Sequence, residues 1–446
     1  MTRTLVLVDG EHYPPVTRDA IAAARARGRD VVGAVLVGGI EKLAAGEVPD
    51  LGVAVRPIGA EGLEGGLAAA LDDLRPETVL DLSDEPVLGY RERMRVAAVV
   101  LARGVIYEGP DFRLEPPREE PAPAGVPTLA VIGTGKRTGK TAIGGEVARR
   151  AATVGLDPIV VAMGRGGPPE PQVVEAGSMS LERLFELARS GRHAASDYLE
   201  DALTSGVTTI GARRAGGGLA GAPYVSNVPA AVRLAAERRP GLLVLEGSGA
   251  ALPPVTWDVG ILVVPAHCPL EYVSGYLGPY RLLRADLAVV TMAGNPVPGF
   301  EDLSALTSHL RRALGDAQVV ITDFVPTPLA DVRGRDAFLA TTASGVVAAR
   351  QVQYVEAEHG CRVVGWSARL ADRAGLAEDL DAAPGYEVLL TELKAAAVDV
   401  ACERAVARGA DVVFVDNRAV VTEGGTDLAT ALDGAIELAT TRGSAR

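Results

Sequence analysis

A nine-residue segment, GTGKRTGKT at positions 133–141, has the residue types of a phosphate-binding loop. It follows the apolar run LAVI and leads into AIGGEVARR, so it joins a predicted strand to a predicted helix. In such a loop the backbone N–H groups and the helix N-terminus bind phosphate oxygens, and the lysine contacts the β- and γ-phosphates. We therefore predict a nucleotide site with Lys140 as the phosphate-binding lysine and the Thr141 hydroxyl as a Mg²⁺ ligand.

The segment departs from the common G-x-x-x-x-G-K-[ST] pattern because Thr134 stands where that pattern begins with glycine. The spacing G-T-x-x-x-x-G-K-T resembles the loop of dethiobiotin synthetase and related P-loop enzymes, which form acid anhydrides or phosphorylated intermediates on small acids. The alternative is a glycine-rich turn that binds nothing. The predicted nucleotide-binding residues are Gly133, Thr134, Gly135, Thr138, Gly139, Lys140 and Thr141.

Lysine is rare in this chain, and its positions are informative. Only four of the 44 basic residues are lysine, and two of these four, Lys136 and Lys140, lie in the loop. A coding bias or heat adaptation that favours arginine spares lysine where a compact ammonium is needed, as it is beside phosphate. The lysine pattern therefore supports the phosphate-loop interpretation.

A second acidic signature follows in LLVLEGSGA, where Glu246 ends an apolar run that reads as a buried strand. A carboxylate at a strand end next to a phosphate loop can hold Mg²⁺, directly or through water. We predict this role for Glu246; the alternative is an ordinary loop charge. The later stretch LAVVTMAGNP lacks the N-K-x-D pattern of guanine recognition, which favours ATP over GTP.

Further polar residues follow other predicted strands, where α/β sheets bind ligands. We predict that five cations converge with Lys140 on a second, highly anionic substrate, with Lys136 and Arg137 acting in catalysis beside Lys140 and Glu246. The five cations are Lys136, Arg137, Arg165, Arg213 and Arg214. The stretch DGEHYPP after the first strand adds Asp9, Glu11 and His12 as substrate-binding residues. The alternatives are a solvated loop around Arg213 and Arg214, and a capped turn at DGEHYPP.

The elements that must position these residues alternate between apolar runs and Ala/Arg/Leu-rich helical stretches, which predicts an α/β fold. We predict a central, doubly wound, parallel-sheet P-loop domain with an α/β domain on each side. The boundaries are a Rossmann-like N-terminal domain at 1–113, a Pro-rich linker at 114–127, the P-loop domain at 128–348 and a small C-terminal domain at 349–446. AFLATTASG is expected to close the P-loop domain, and ELKAAAVDVACERAVARG to form a helix.

Composition excludes several classes of protein. A net charge of −13 argues against general nucleic-acid binding. Three widely spaced cysteines form no disulfide framework or zinc pattern, so we expect buried thiols in a reducing cytoplasm. The apolar run near the N-terminus is too short for a signal peptide or a membrane span.

Four blocks together resemble cyclic 2,3-diphosphoglycerate synthetase: LVDGEHYPPV, VIGTGKRTGKTA, LEGSGAALPPV and TELKAAAVDVA. The similarity runs through the whole chain. It implies an ATP- and Mg²⁺-dependent enzyme that closes 2,3-diphosphoglycerate into an intramolecular phosphoanhydride. Lys394, in the last block, is then expected to reach the substrate from the C-terminal domain; the alternative is an exposed helix lysine.

Other functions stay open at this point. One is an ATP-dependent ligase or kinase acting on another small anionic metabolite, and another is a nucleotide-switched regulator. For the second, the sequence lacks the metal-binding cluster or membrane-targeting helix that such regulators often carry. A homodimer is the default expectation for the assembly.

Overall fold

The computed structural model describes residues 1–39, 41–43, 47–192, 194–294, 303–422 and 427–446. They form two compact units. The first unit contains Met1–Arg118 and Pro269–Arg284, and the second contains Glu119–Cys268 and Ala285–Arg446.

The chain begins with β1 (Thr2–Val8), α1 (Pro14–Ala26), β2 (Arg29–Leu36), β3 (Val55–Pro57), α2 (Gly62–Leu74), β4 (Thr78–Asp81), α3 (Tyr90–Ala102), β5 (Ile106–Glu108) and β6 (Arg113–Leu114). The central part follows as β7 (Thr128–Gly133), α4 (Lys140–Thr153), β8 (Pro158–Gly164), β9 (Gln172–Val174), α5 (Leu181–Arg189), α6 (Asp197–Ser205), β10 (Thr208–Ala215), β11 (Val225–Ser226), α7 (Val228–Glu237), β12 (Leu242–Glu246), β13 (Val259–Pro265), α8 (Glu271–Ser274), α9 (Gly278–Leu282) and β14 (Leu287–Thr291). The last part contains α10 (Leu303–Leu314), a 3₁₀ helix (Asp316–Gln318), β15 (Val319–Pro328), β16 (Asp336–Ala340), α11 (Gly345–His359), β17 (Arg362–Ser367), α12 (Arg373–Ala382), β18 (Val388–Thr391), a π-helix (Ala397–Cys402), α13 (Glu403–Ala407), β19 (Asp411–Val421) and α14 (Leu428–Ala445).

The first unit is built on a six-stranded sheet in the order β3-β2-β1-β4-β5-β6. Its strands pair in parallel except for β6, which is antiparallel to β5. The apolar run in β1 is fully buried, as expected for a central parallel strand with helices on both faces. Because β1 lies between β2 and β4, the loop after β1 is at the point where the winding direction reverses, which is where such sheets bind ligands.

The second unit contains one 13-stranded sheet in the order β11-β10-β8-β12-β7-β13-β14-β15-β19-β18-β16-β17, with β9 paired to β10. The strands from β10 to β15 pair in parallel, and β7 and β8 are buried along their whole lengths. Helices such as α4 and α6 cover this sheet with apolar side chains that belong to its core. The predicted α/β class, with a doubly wound parallel sheet carrying the P-loop, is confirmed.

A second parallel group, β19-β18-β16-β17, continues the same sheet. The join is antiparallel: Thr322–Pro328 of β15 pair with Val415–Val421 of β19. The first residues of β15 pair with β14, and the first residues of β19 pair with β18. The ribbon therefore lies beyond the carboxyl ends of both parallel groups, and those two carboxyl ends face each other across it.

The structure differs from two expectations about the last third of the chain. The segment AFLATTASG was expected to close the P-loop domain, but its strand, β16, pairs with β17 and β18. The expected helix over ELKAAAVDVACERAVARG begins only at Ala397 and opens as a π-helix. The domain boundaries themselves stay a prediction. Among the described residues, no helix is long and apolar enough to cross a membrane.

Candidate active site

The phosphate loop has the expected strand–turn–helix geometry. β7 ends at Gly133 and α4 begins at Lys140, with Gly139 as its N-cap in the left-handed region at φ 92°. Lys140 Nζ donates to the Gly135 carbonyl oxygen at 2.8 Å and to Thr138 Oγ1 at 3.1 Å. The ammonium is thereby held inside the curl of the loop, where the phosphates of a nucleotide bind.

Two of the loop glycines are required by close contacts. A Cβ on Gly133 would lie 2.8 Å from Thr138 Oγ1, and a Cβ on Gly139 would lie 2.4 Å from Cζ of Phe324. Thr134, which replaces the usual first glycine, is buried, and its hydroxyl accepts a weak hydrogen bond from Cys268 Sγ at 3.7 Å. Thr141 is the second residue of α4 and is half-buried. The loop therefore accommodates threonine at position 134 through side-chain packing.

Burial lowers the pKa of Lys140 to about 8. The Glu246 and Asp197 carboxylates oppose this shift, while the Arg165 and Arg214 guanidiniums add to it. Five charged side chains from separate strand ends and helices thus act electrostatically on one another at the carboxyl edge of the sheet. The predicted convergence of Arg165, Arg214 and Lys140 on a substrate stays a prediction.

Glu246, the last residue of β12, is buried against the first turns of α4. A Cβ on Gly144 would lie 1.9 Å from Glu246 Oε1, so α4 leaves room for this carboxyl only because position 144 is glycine. Burial, together with the nearby carboxylate of Asp197, raises the pKa of Glu246 to about 8. Burial also raises the pKa of Asp201 well above its ordinary value, and the neighbouring Glu246 carboxyl acts in the same direction.

The acidic residues of α6 were missed by sequence reasoning. Asp197, Glu200 and Asp201 lie on this helix, and Asp201 meets Glu246. Among the described residues, no hydrogen-bond donor reaches either Asp201 carboxyl oxygen or Glu246 Oε1, all of which are buried. Buried carboxyl oxygens without donors are costly, so a shared proton or a bound metal cation would stabilise this pair of groups.

The predicted arginines divide into two groups. A Cβ on Gly249 would lie 2.9 Å from Arg165 Nη2 and 3.2 Å from Arg214 Nη2, so both guanidiniums lie against the backbone of the loop after β12. Arg214 also donates to the carbonyl oxygens of Gly216 and Ser248, each at 2.6 Å.

Arg213 is exposed, and its side chain points to the other side of β10 from that of Arg214, because strand residues alternate. Lys136 and Arg137 are exposed on the loop, and Arg137 has φ 60°. The structure thus places the guanidiniums of Arg165 and Arg214 side by side, although Arg165 is exposed like the other three cations.

Lys394 does not lie on a helix. It follows β18 in a turn, and its Nζ lies 3.1 Å from Glu200 Oε1 of α6. Burial opposes the charge of Lys394, but the carboxylates of Glu200 and Glu392 outweigh it and raise the pKa of Lys394 above its ordinary value. Glu392 lies within TELKAAAVDVA, but no sequence pattern indicated a role for it. The predicted contact of Lys394 with substrate stays a prediction.

The remaining predicted residues belong to the first unit, in the loop after β1. Asp9 is buried, and its Oδ1 accepts hydrogen bonds from the Glu11 and His12 backbone N–H groups, each at 3.0 Å. His12 Nδ1 lies 2.8 Å from the same oxygen, and Asp9 Oδ2 accepts from the Asp84 N–H at 2.7 Å. Asp9 therefore ties the loops after β1 and β4 together, while the imidazole of His12 is partly exposed.

The stretch LAVVTMAGNP lies only partly within the described residues. In the stretch that lacks the guanine-recognition pattern, β14 and the residues through Gly294 are described, whereas Asn295 and Pro296 are not. The base preference therefore rests on the sequence pattern alone.

Comparison with known proteins gives matches along most of the chain. Three family models match: the N-terminal domain of cyclic 2,3-diphosphoglycerate synthetase at residues 3–115, its P-loop domain at 128–323 and its C-terminal domain at 328–418. The second unit therefore contains a nucleotide-binding P-loop domain.

Two curated relatives carry the same protein name as these models. The cyclic 2,3-diphosphoglycerate synthetase of Rubrobacter xylanophilus is 47% identical over 97% of this chain and 96% of its own. That of Thermococcus sibiricus is 40% identical over 93% of this chain and 94% of its own. A solved structure of LpxK from Aquifex aeolicus in complex with ATP is 15% identical over 78% of this chain and 96% of its own, with a TM-score of 0.43.

Proposed function

The chain belongs to the cyclic 2,3-diphosphoglycerate synthetase family, and from this premise we propose that it closes 2,3-diphosphoglycerate into its cyclic form. ATP supplies the free energy, and ADP and inorganic phosphate leave. The substrate is a small molecule with two phosphate groups and one carboxylate, so the site that binds it must be rich in positive charge.

The observation that carries the proposal is a pair of guanidiniums that lie together close enough to the P-loop lysine to lower its pKa. Arg165 and Arg214 lie together against Gly249 and act electrostatically on Lys140. A nucleotide already has the loop amides and Lys140 for its phosphates. Two further arginines at the same place suit a second polyanion, because guanidinium groups bind phosphate oxygens in a bidentate manner.

The proposed chemistry consists of two phosphoryl transfers. First, an oxygen of one substrate phosphate attacks the γ-phosphorus of ATP; a P–O bond forms and the bond to ADP breaks. Then an oxygen of the other substrate phosphate attacks the inner phosphorus of the new diphosphate group, the one bonded to the carbon skeleton through oxygen. This closes the ring and expels inorganic phosphate. No proton has to be removed from the attacking oxygens, which are already ionised. The residues act by positioning and by stabilising charge.

Mg²⁺ fits the residues at this site. Among the described residues, no group of three or more His, Cys, Asp or Glu side chains could hold a metal by itself, but Mg²⁺ usually takes one or two carboxylates, phosphate oxygens and water. The buried oxygen Oε1 of Glu246, which no described donor reaches, suits such a cation. We assign Glu246 and Thr141 as ligands, with Asp197, exposed at the start of α6, as a further candidate. Bound Mg²⁺ would neutralise phosphate charge.

The remaining sequence predictions are part of the proposal. Lys136 and Arg137 extend from the loop toward the substrate, and Arg213 adds charge at its rim. Asp9, Glu11 and His12 bind or orient substrate, with Asp9 acting through the loop that it holds. A homodimer and a cytoplasmic location are retained as predictions.

The test is a ³¹P NMR assay of the purified full chain with ATP, Mg²⁺ and 2,3-diphosphoglycerate. We expect the two substrate phosphate signals to be replaced by those of a cyclic anhydride, with equimolar ADP and phosphate. Turnover of ATP without 2,3-diphosphoglycerate, or consumption of 2,3-diphosphoglycerate without a cyclic product, would contradict the proposal. Stimulation of ATP hydrolysis by another small acid in a parallel screen would favour the ligase alternative.

A further inference from the structure

Lys394 is held in an unusual backbone segment. The next residue, Ala395, has φ 48°, a left-handed conformation that costs free energy for any residue with a side chain. The Lys394 N–H bonds to the Glu392 carbonyl at 2.9 Å, and a π-helix starts at Ala397. Strained residues and π-helical turns concentrate at functional sites, so the placement of Lys394 calls for an explanation beyond an exposed helix lysine.

The ammonium of Lys394 is flanked by two carboxylates. Glu200 Oε1 lies 3.1 Å from Nζ, and the side chain of Glu200 is 13% exposed. Glu392 is buried, and hydroxyl groups of Thr341 and Thr342 donate to its oxygens at 3.0 and 2.7 Å. A lysine whose charge is offset by two carboxylates is a weaker ligand for substrate phosphate than a free ammonium would be.

The partner of Lys394 is part of the nucleotide site. Glu200 is next to Asp201 on α6, and Asp201 meets the Glu246 carboxyl, which lies against Gly144 of α4. Asp197, three residues before Glu200, acts on Lys140. A continuous set of contacts therefore runs from the carboxyl end of β18 through α6 to the phosphate loop. On α6, Asp201 is buried and the side chain of Glu200 is largely buried, so a cation beside them stabilises the helix in this position.

We propose that Lys394 is a positioning residue for the nucleotide site: by pairing with Glu200 it holds α6 so that Asp197 and Asp201 face Glu246 and the bound metal–nucleotide. The proposal rests on the proposed function only for the measurements of turnover, because nucleotide binding can be measured whether or not the chain makes the cyclic product. It differs from the prediction that Lys394 binds the substrate directly, and the two ideas give opposite results in one experiment.

The experiment uses the full chain with Lys394→Met, Lys394→Arg, Glu200→Gln and the double variant Lys394→Met/Glu200→Gln. Isothermal titration calorimetry measures ADP affinity at fixed Mg²⁺, and steady-state assays measure kcat and the KM for 2,3-diphosphoglycerate. We expect Lys394→Met to weaken Mg²⁺–ADP binding and lower kcat, each by about tenfold or more, as for other residues that orient metal ligands. The KM for 2,3-diphosphoglycerate should stay essentially unchanged, and Lys394→Arg should recover most of the loss.

The double variant tests whether Lys394 acts through Glu200. If it does, removing both charges should be no worse than removing one, because the effects of contacting residues are not additive. Arg373→Met is the matched control: it removes an exposed ion pair, with Asp399 of the π-helix, from the same part of the chain. It should leave nucleotide affinity and kcat unchanged.

Two results would overturn the proposal. One is a raised KM for 2,3-diphosphoglycerate in Lys394→Met with unchanged Mg²⁺–ADP affinity, which would support direct substrate binding. The other is additive losses in the double variant. If Lys394→Met does not fold, the isosteric variant Glu200→Gln still tests the proposal. Unchanged Mg²⁺–ADP affinity in Glu200→Gln would contradict it. Absence of a cyclic product from the wild-type chain would refute the proposed function while leaving the calorimetric result interpretable.

Discussion

The carboxyl oxygen Oε1 of Glu246 occupies the space into which a side chain on Gly144 would extend, since a Cβ built there would lie 1.9 Å away. Gly144 is on α4 and Glu246 ends β12, so this contact fixes how closely the phosphate-loop helix approaches the acidic strand end. The glycine is therefore part of the site although it offers no functional group.

Gly144→Ala should displace Glu246 and impair both stability and turnover. Overpacking of a filled interior costs about 1–3 kcal/mol, and the acidic group would no longer sit beside the loop. Gly434→Ala is the control, because Gly434 lies in α14 with no heavy atom near its Cβ position, and it should be neutral or slightly stabilising. Thermal melts measure the change in stability, and ADP-release assays measure the change in turnover. Equal Tm values and equal turnover in the two variants would contradict the prediction.

Arg214→Met should raise the KM for 2,3-diphosphoglycerate by about tenfold or more, because a charged hydrogen-bond donor to phosphate is lost from the pair with Arg165. Arg213→Met should have the smaller effect, since that side chain is exposed on the other side of β10. Steady-state kinetics with varied 2,3-diphosphoglycerate give the comparison. A larger effect of Arg213→Met would place the substrate on the other side of the strand.

Nucleotide affinity should fall as pH rises through about 8. Burial lowers the pKa of Lys140 to about 8, so the ammonium is charged below this pH and loses its charge above it, while the nucleotide stays anionic. Calorimetry with ADP in the absence of metal ions, from pH 7 to 9, measures the trend. Lys140→Arg should remove the part of this pH dependence that belongs to Lys140, because a guanidinium keeps its charge throughout this range.

A second group titrates over the same range and requires its own control. Burial raises the pKa of Glu246 to about 8, and its ionisation also disfavours an incoming anion. Glu246→Gln should therefore keep the part of the pH dependence that belongs to Lys140. Loss of all pH dependence in that variant would assign the effect to the carboxyl instead.

Asp9→Asn should destabilise the first unit rather than only weaken substrate binding. Asp9 accepts hydrogen bonds from the backbone N–H groups of Glu11, His12 and Asp84, and an amide NH₂ would face one of these donors. Loss of hydrogen bonds to a buried charged group costs about 1–3 kcal/mol. Asp19→Asn on the exposed face of α1 is the control. A change in KM without any change in Tm would instead assign Asp9 directly to substrate.

Local signals were sufficient to predict the phosphate loop and the sheet around it. Gly133, Gly139 and Lys140 are separated by a few residues, and their spacing alone requires a strand, a tight turn and a helix. Uninterrupted apolar runs then predicted buried parallel strands, such as β7 and β12. Glu246 could be found because it ends one of these runs.

Contacts between distant segments could not be predicted. No motif marks the residues of α6, and only the sheet order brings Asp197, Glu200 and Asp201 beside β12 and Lys394. The stretch around Lys394 is rich in alanine and predicted a regular helix, but Lys394 pairs with Glu200 and the next residue, Ala395, has φ 48°. Tertiary interactions override helix propensity there.

The antiparallel ribbon of β15 and β19 also covers a strand edge. Thr322–Pro328 of β15 have Val415–Val421 as their hydrogen-bonding partners, so these residues of β15 present no open backbone edge on that side. A chain ended after Pro328 would leave that outer half of β15 with unpaired N–H and C=O groups, which recruit strands of other molecules. The C-terminal segment that carries Lys394 thus also covers the outer half of β15 in the nucleotide-binding sheet.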